Sequence, residues 1–240
     1  MLFEGTIFAI TRINLTQMLA TLALVLFLVL GTRRMKIVPG RFQSVAEMGL
    51  DFVRVNIAED ILGRKDGKRF LPILTTIFFM VLFMNITGVI PFLNIAGTSV
   101  IAVPMLLAIV AYVTFIYAGI KKSPGGFFKN ALLPSGVPWP LYIIIVPLEF
   151  LSTFIIRPVT LTLRLTMNML VGHLLLVLFF SATWFFFFQQ GPNLFSVFGV
   201  GTLVFGFAFT LFELFVAALQ AYIFTLLTAV YLQLSLAEEH

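Results

Sequence analysis

The sequence contains no cysteine, and only 10% of its 240 residues are charged. The lack of cysteine excludes disulfides, thiolate metal sites and thiol catalysis. About a quarter of the residues of a soluble domain are charged. The low charge and the 60% hydrophobic content therefore exclude a soluble globular protein, a disordered chain and a nucleic-acid-binding protein. The mean hydropathy of +1.09 indicates an integral membrane protein instead.

Long runs without charge predict where the chain crosses a membrane. A spanning helix needs about 20 apolar residues, and the uncharged runs are separated by two clusters of helix-breaking residues, near 85–97 and 189–193. We therefore expect one all-α integral membrane domain over residues 1–240, whose last two helices form a long hairpin. The five predicted spans are about 13–32, 70–87, 100–120, 141–188 and 196–237.

The last two apolar runs are much longer than a bilayer is thick. The 47 residues from Tyr142 to Phe188 would extend roughly 70 Å as one helix, whereas the hydrocarbon layer is about 30 Å. Because ordinary tilt cannot absorb this excess, we expect the hairpin to be steeply inclined or kinked. Pro147 and Pro158 offer the kink sites.

The basic residues predict the orientation of the chain. They occur after the first and third spans, whereas the two breaker clusters carry no charge. Because basic residues favour cytoplasmic loops, we expect the N-terminus outside and the C-terminus in the cytoplasm. The basic loop residues are Arg33, Arg34, Lys36, Arg41, Arg54, Arg64, Lys65, Lys68, Arg69, Lys121, Lys122 and Lys129.

The segment over about 42–62 predicts an amphipathic helix. Apolar residues recur there at helical spacing, and charged residues recur on another face. We expect this helix to lie on the cytoplasmic surface of the membrane; the alternative is a solvated helix packed on the loops. The apolar residues are Val45, Met48, Phe52 and Val55, and the charged ones are Glu47, Asp51 and Arg54.

Five ionisable residues lie in or beside the long apolar runs, where an arginine costs about 2.5–3.5 kcal/mol or more. Arg157 precedes Pro158 near the cytoplasmic loop, so snorkelling explains it as well as a function does. Glu149 lies near the same end and can pair with a basic neighbour. Arg164 is about 23 residues, or roughly 35 Å, from the outer end of its helix. The five residues are Glu149, Arg157, Arg164, His173 and Glu213.

The hairpin brings polar residues to two common depths. Residues equally distant from the tip of an antiparallel helix pair lie at the same level, and the tip is centred near 191–193. His173 and Glu213 are equally distant from position 193, and Arg164 and Gln220 from position 192. We therefore expect an outer level of His173 with Glu213 and an inner level of Arg164 with Gln220. Asn168 lies one turn from Arg164 on the same face.

The two levels differ in chemistry. A histidine and a buried glutamate can both exchange protons near neutral pH, whereas arginine keeps its proton in proteins. Arg164 can therefore attract a carboxylate but cannot relay a proton. No carboxylate of the chain obviously pairs with it, so we expect its partner on another subunit. A titratable level beside a permanent cation indicates a proton path that ends at an electrostatic gate.

Four segments of the chain are similar to one protein family. The first, from Arg157 to His173, contains the motif Leu-Arg-Leu-x-x-Asn around Arg164, and the second runs from Glu213 to Thr228. The stretches 83–91 and 231–240 are also similar. With these residues the chain resembles subunit a of the F-type ATP synthase over nearly its whole length.

The resemblance implies a role for each candidate residue. Arg164 would be the gate that faces a carboxylate of the rotating c-ring, with Asn168 and Gln220 as its polar neighbours. The outer access path would use His173 and Glu213. The release side of the proton path would use Glu149.

The same resemblance implies a function, partners and a location. The chain would be the proton-translocating stator subunit that forms two half-channels against the c-ring, and it would not be an enzyme on its own. Its partners would be the c subunits, a b-type peripheral stalk and the rest of the ATP synthase. We expect a bacterial plasma membrane, with an organelle inner membrane as the alternative. No metal ion, cofactor or nucleic acid is implied.

Two other functions compete with this one. A single-chain secondary transporter or ion channel would be expected to show an internal repeat and an internal partner for Arg164, and neither is visible in the sequence. A purely structural membrane subunit would leave the paired polar levels unexplained.

A proton is preferred over sodium because a histidine and a glutamate suit proton transfer.

Overall fold

The computed structural model describes residues 12–33, 40–90, 96–122, 141–189 and 196–236. The regular structure in these ranges is entirely helical, without strands. The α-helices are α1 (Arg12–Thr32), α2 (Arg41–Val53), α3 (Asp60–Val89), α4 (Ala102–Lys122), α5 (Tyr142–Phe150), α6 (Arg157–Trp184) and α7 (Ser196–Leu236). The π-helical segments are Arg54–Glu59, Leu151–Ile156 and Phe185–Gln189.

Five helical stretches in the described ranges are long and apolar enough to cross a membrane. This confirms the predicted all-α polytopic fold. Many large apolar side chains are exposed on the outer faces of the helices, as expected where lipid rather than water surrounds them. The stretches are Ile13–Thr32, Arg41–Val89, Ala102–Lys122, Tyr142–Gln189 and Ser196–Leu236.

The amphipathic helix is connected to the second span without an intervening loop. The chain turns sharply at Gly63, whose φ of 75° is a left-handed conformation that side chains disfavour. Beyond this turn the two helical segments pack closely, because a Cβ atom on Gly67 would lie 2.7 Å from the carbonyl oxygen of Ala58. The segment 41–62 therefore folds back against α3.

The predicted amphipathic helix is present, and its two faces have different surroundings. Ala46 and Val53 are buried against neighbouring helices, with Ala46 beside Gly31 of α1. Met48 and Val55, on the predicted apolar face, remain 67% and 53% exposed. The helix is thus attached to the bundle by one stripe and leaves its predicted lipid-facing stripe uncovered. Its position at the cytoplasmic surface stays a prediction.

The breakers predicted at the end of the second span do not end the helix. Asn85 and Gly88 both lie within α3, which continues to Val89. Asn85 is fully buried and accepts a hydrogen bond from Thr98 at 2.6 Å. A Cβ on Gly88 would lie 2.8 Å from the Cβ of Ala96. These two residues therefore serve tertiary contacts; Pro91 and Asn94 lie outside the described residues.

The segment after α3 is held by hydrogen bonds to α1 and α3. The backbone N–H of Gly97 donates to the carbonyl of Met84 at 3.1 Å, and Gln17 of α1 donates to the carbonyl of Gly97 at 2.9 Å. Ala96 packs with Met169 and Ala217 of the hairpin. This segment thus links α1 and α3 to the region between the two predicted polar levels.

The main core lies where α3, α6 and α7 meet. Leu74 and Val81 of α3, Leu165 of α6 and Phe224 and Leu232 of α7 are all fully buried. Burial of a large apolar side chain is worth about 1.5–3 kcal/mol relative to water, although in lipid close packing supplies the preference. The core holds the inner half of the hairpin against α3.

The first arm of the hairpin changes its helical winding where kinks were predicted. The π-helical segment Leu151–Ile156 lies between Pro147 and Pro158. Proline has no N–H to donate and its ring clashes with the carbonyl four residues earlier, so a wider turn before Pro158 relieves the clash. The arm remains helical throughout from Tyr142 to Gln189, over 48 residues.

Candidate functional site

The hairpin register is defined by a hydrogen bond between two threonines. The hydroxyls of Thr183 on α6 and Thr202 on α7 are 2.9 Å apart, and the two positions are centred between 192 and 193. The predicted tip, near 191–193, agrees with this register, although most of the tip lies outside the described residues. Residues at equal depth on the two helices can therefore be compared directly.

Glu213 lies at the depth of His173. It is only 3% exposed, and a Cβ atom on Gly172, the neighbour of His173, would lie 2.7 Å from its Oε1 atom. His173 is half-buried. No hydrogen bond between His173 and Glu213 is present in the described structure, and Nδ1 of the histidine and Oε2 of the glutamate are both buried without a partner. Such atoms are rare in folded proteins, so both groups have hydrogen-bonding capacity that the described residues do not use.

The inner polar contact is shifted by one turn from the predicted pair. Asn168 donates from Nδ2 to Oε1 of Gln220 at 2.8 Å, whereas Gln220 was expected level with Arg164. The glutamine side chain reaches about one helical turn along the interface, so its partner need not be at its own depth. Gln220 is buried, at 2% exposure, and its Nε2 atom has no partner.

Arg164 projects from the outer surface of the hairpin. It is exposed, and it makes no hydrogen bond or ion pair with any residue in the described ranges. Its neighbours Leu163 and Met167 are 39% and 52% exposed. The guanidinium group thus stands on an apolar face, where an unpaired charge is costly in lipid. Within the described part of the chain, no acidic side chain forms an ion pair with Arg164.

Arg157 and Glu149 lie toward the opposite end of the hairpin from the threonine pair. The guanidinium carbon of half-buried Arg157 is 5.4 Å from the centre of the Tyr231 ring, so Arg157 is held by an aromatic partner within the bundle. Glu149 is half-buried on α5 and forms no ion pair with any described residue. The structure does not bring Glu149 into contact with Arg164.

The threonine pair and the aromatic packing beside it were not predicted from the sequence. Between the Thr183–Thr202 contact and Glu213, the rings of Phe179 and Phe205 stack at 6.4 Å, and Phe179 also packs on Phe209 at 5.8 Å. The equal-depth rule would have found the threonines, because they are centred on the predicted tip. Nothing in the spacing marks the stacked rings, since the hairpin is rich in phenylalanine throughout.

The described residues contain no group of three histidine, aspartate or glutamate side chains that could hold a metal ion. What the site contains is a buried acid, a half-buried histidine, a pair of amide side chains and an exposed arginine. This set can bind, orient and transfer protons. It has no nucleophile next to a general base.

A sequence model of the ATP synthase A chain family matches residues 14–233. The match includes every polar residue of the hairpin described above. The chain belongs to the ATP synthase A chain family. It is accordingly a proton-translocating, multi-pass membrane subunit of an ATP synthase complex, and similar proteins occur in bacteria.

Three relatives illustrate how far the similarity extends. ATP synthase subunit a of Rhodococcus erythropolis is 52% identical over 237 residues, which cover 97% of this chain and 85% of the relative. The protein of the same name from Paenarthrobacter aurescens is 42% identical over 211 residues, covering 88% and 79%. That from Streptomyces lividans is 39% identical over 227 residues, covering 94% and 79%.

Proposed function

We propose that this subunit forms the stator side of two proton half-channels, with Arg164 as the gate between them against a rotating ring of c subunits. The observation that carries the proposal is the difference in exposure between Arg164 and Glu213. Arg164 is exposed without a counter-charge among the described residues, while Glu213, at the level of His173 on the facing helix, is buried at 3% exposure. An exposed permanent cation calls for an external anion, and a buried acid serves proton transfer.

The uptake side uses Glu213 and His173. Both carry a buried atom without a hydrogen-bond partner, and both can bind and release a proton. A proton that arrives from outside the membrane is held at this level and passed to a carboxylate of the ring. The neutral carboxylate can then move through lipid, which a charged one cannot do without a large cost.

Arg164 separates the two paths. Because arginine does not lose its proton, it stabilises the ionised ring carboxylate and blocks direct proton flow between the two sides. The Asn168–Gln220 hydrogen bond at 2.8 Å fixes the face on which the arginine stands. On meeting Arg164, the ring carboxylate releases its proton inward, past Glu149. Each charge that crosses contributes about 2.3 kcal/mol per 100 mV of membrane potential.

The partners and the orientation belong to the same proposal. The c-ring covers the Arg164 face, and a b-type peripheral stalk holds the subunit still against rotation. The membrane is a bacterial plasma membrane, with the N-terminus outside and the C-terminus in the cytoplasm. The many basic residues that follow the first and third spans in the sequence support this orientation.

Replacement of Arg164 tests the proposal. In inverted membrane vesicles that contain the whole ATP synthase, Arg164→Ala should abolish ATP-driven acidification and allow passive proton leak. Arg164→Lys should also fail, because an ammonium group lacks the planar fork of arginine and can deprotonate when buried.

Arg157→Lys is the matched control on the same helix. It keeps a cation over the Tyr231 ring, so acidification should continue. Acidification close to the wild-type rate in either Arg164 variant would refute the gate.

A further inference from the structure

Gly172 provides the surface on which the carboxylate of Glu213 rests. A Cβ atom at this position would lie 2.7 Å from Oε1 and 3.1 Å from the carboxyl carbon. Elsewhere on the hairpin, a Cβ on Gly206 would make ordinary contact, at 3.4 Å from a phenylalanine ring, and one on Gly201 would meet nothing within 4 Å. Among the described hairpin glycines, the clash with a polar group therefore occurs at Gly172.

The backbone gives no reason for glycine at this position. Gly172 lies in the middle of α6, and Gly63 is the glycine with positive φ in the described chain. Glycine in a helix interior costs about 1 kcal/mol relative to alanine. Helix propensity and backbone conformation do not explain the glycine at position 172. The space that the Glu213 side chain needs does explain it.

We infer that Gly172 is a positioning residue for proton uptake, because the space left by its missing Cβ holds the Glu213 carboxylate at the level of His173. This inference rests on the proposed role of Glu213 in the proton path. The clashing atoms are at the free end of a flexible side chain, so an added methyl group displaces the carboxylate rather than the helix. Proton transfer needs donor and acceptor within hydrogen-bond reach, directly or through one water, so displacement slows it.

The test compares Gly172→Ala in two backgrounds. With Glu213 present, Gly172→Ala should lower ATP-driven acidification by about tenfold or more, as expected when a reacting group is misplaced by about 1 Å. Glu213→Asp shortens the side chain by one methylene, roughly 1.5 Å, so its carboxylate clears the methyl group. In the Glu213→Asp background, which is itself impaired, Gly172→Ala should cost less than about twofold, because the two changes act through one contact.

The control is Gly201→Ala on the same hairpin, which adds a methyl group in open space and should leave acidification unchanged. All rates are normalised to the amount of the subunit in the membrane, measured by immunoblot. An equal loss in both backgrounds, no loss in either, or absence of the Gly172→Ala subunit from the membrane in both backgrounds would overturn the inference. If Arg164→Ala abolishes coupling while Gly172→Ala has no effect, the positioning role of Gly172 is refuted and the proposed function stands. Retained coupling in Arg164→Ala refutes the proposed function itself.

Discussion

Buried polar atoms without partners concentrate in the hairpin. Five such side-chain atoms occur among the described residues, and three of them belong to His173, Glu213 and Gln220. Spacing along the chain predicted the level shared by the first two, because depth in an antiparallel pair depends only on distance from the tip. It could not predict that Gln220 bonds Asn168, since the reach of a side chain is not a property of the register. Gly172 was also missed, because a glycine that makes space leaves no pattern in the sequence.

Exchange of His173 and Glu213 should show that they act together. His173→Glu places two carboxylates at one level, where they compete for one proton, and Glu213→His leaves two imidazoles without the acid that complements them. We expect both single variants to be impaired in ATP-driven acidification and the double exchange to recover part of the rate. Strictly additive losses across the four proteins would show that the two residues do not share a proton path.

Among the helices, the long apolar ones were predictable from the runs without charge, whereas local features near their ends were less predictable. The amphipathic helix and all five long apolar helices were expected, and the π-helical segment falls between the two prolines predicted as kink sites. Asn85 and Gly88, breakers by residue type, lie inside α3 because they are used for contacts with Thr98 and Ala96. The fold-back at Gly63 was also missed, since one residue with positive φ replaces the loop that was expected.

The register of the hairpin can be tested by disulfide formation. The chain has no cysteine, so the pair Thr183→Cys and Thr202→Cys introduces the two thiols of the experiment. Their parent hydroxyls are 2.9 Å apart, and we expect an intramolecular disulfide on mild oxidation, detected by altered gel mobility. Thr183→Cys with Thr210→Cys is the control, because eight residues along α7 add about 12 Å. A disulfide in the control pair but not in the first pair would contradict the register.

The whole bundle presents many apolar side chains at its surface, and Arg164 interrupts this surface on α6. Val171, two turns from Arg164, is 51% exposed, like Met167 before it. Composition predicted a membrane protein, and the lack of a carboxylate at the level of Arg164 predicted an anionic partner on another subunit. Only the structure shows that the arginine face is open while Met169, on the same helix, is 1% exposed against the loop after α3. We propose that the rotor ring binds this open face.

Crosslinking to the c subunit tests this arrangement most directly. In the assembled ATP synthase, Met167→Cys, next to Arg164 on the open face, should form disulfides with cysteines placed near the ring carboxylate of the c subunit. Met169→Cys, which is buried, should not. Val25→Cys should not either, because Val25 is 49% exposed on α1, a helix that packs on α2 and α3. Crosslinks at Met167→Cys with none at the two controls are the predicted result. Crosslinks at Val25→Cys with none at Met167→Cys would contradict the placement of the Arg164 face against the ring.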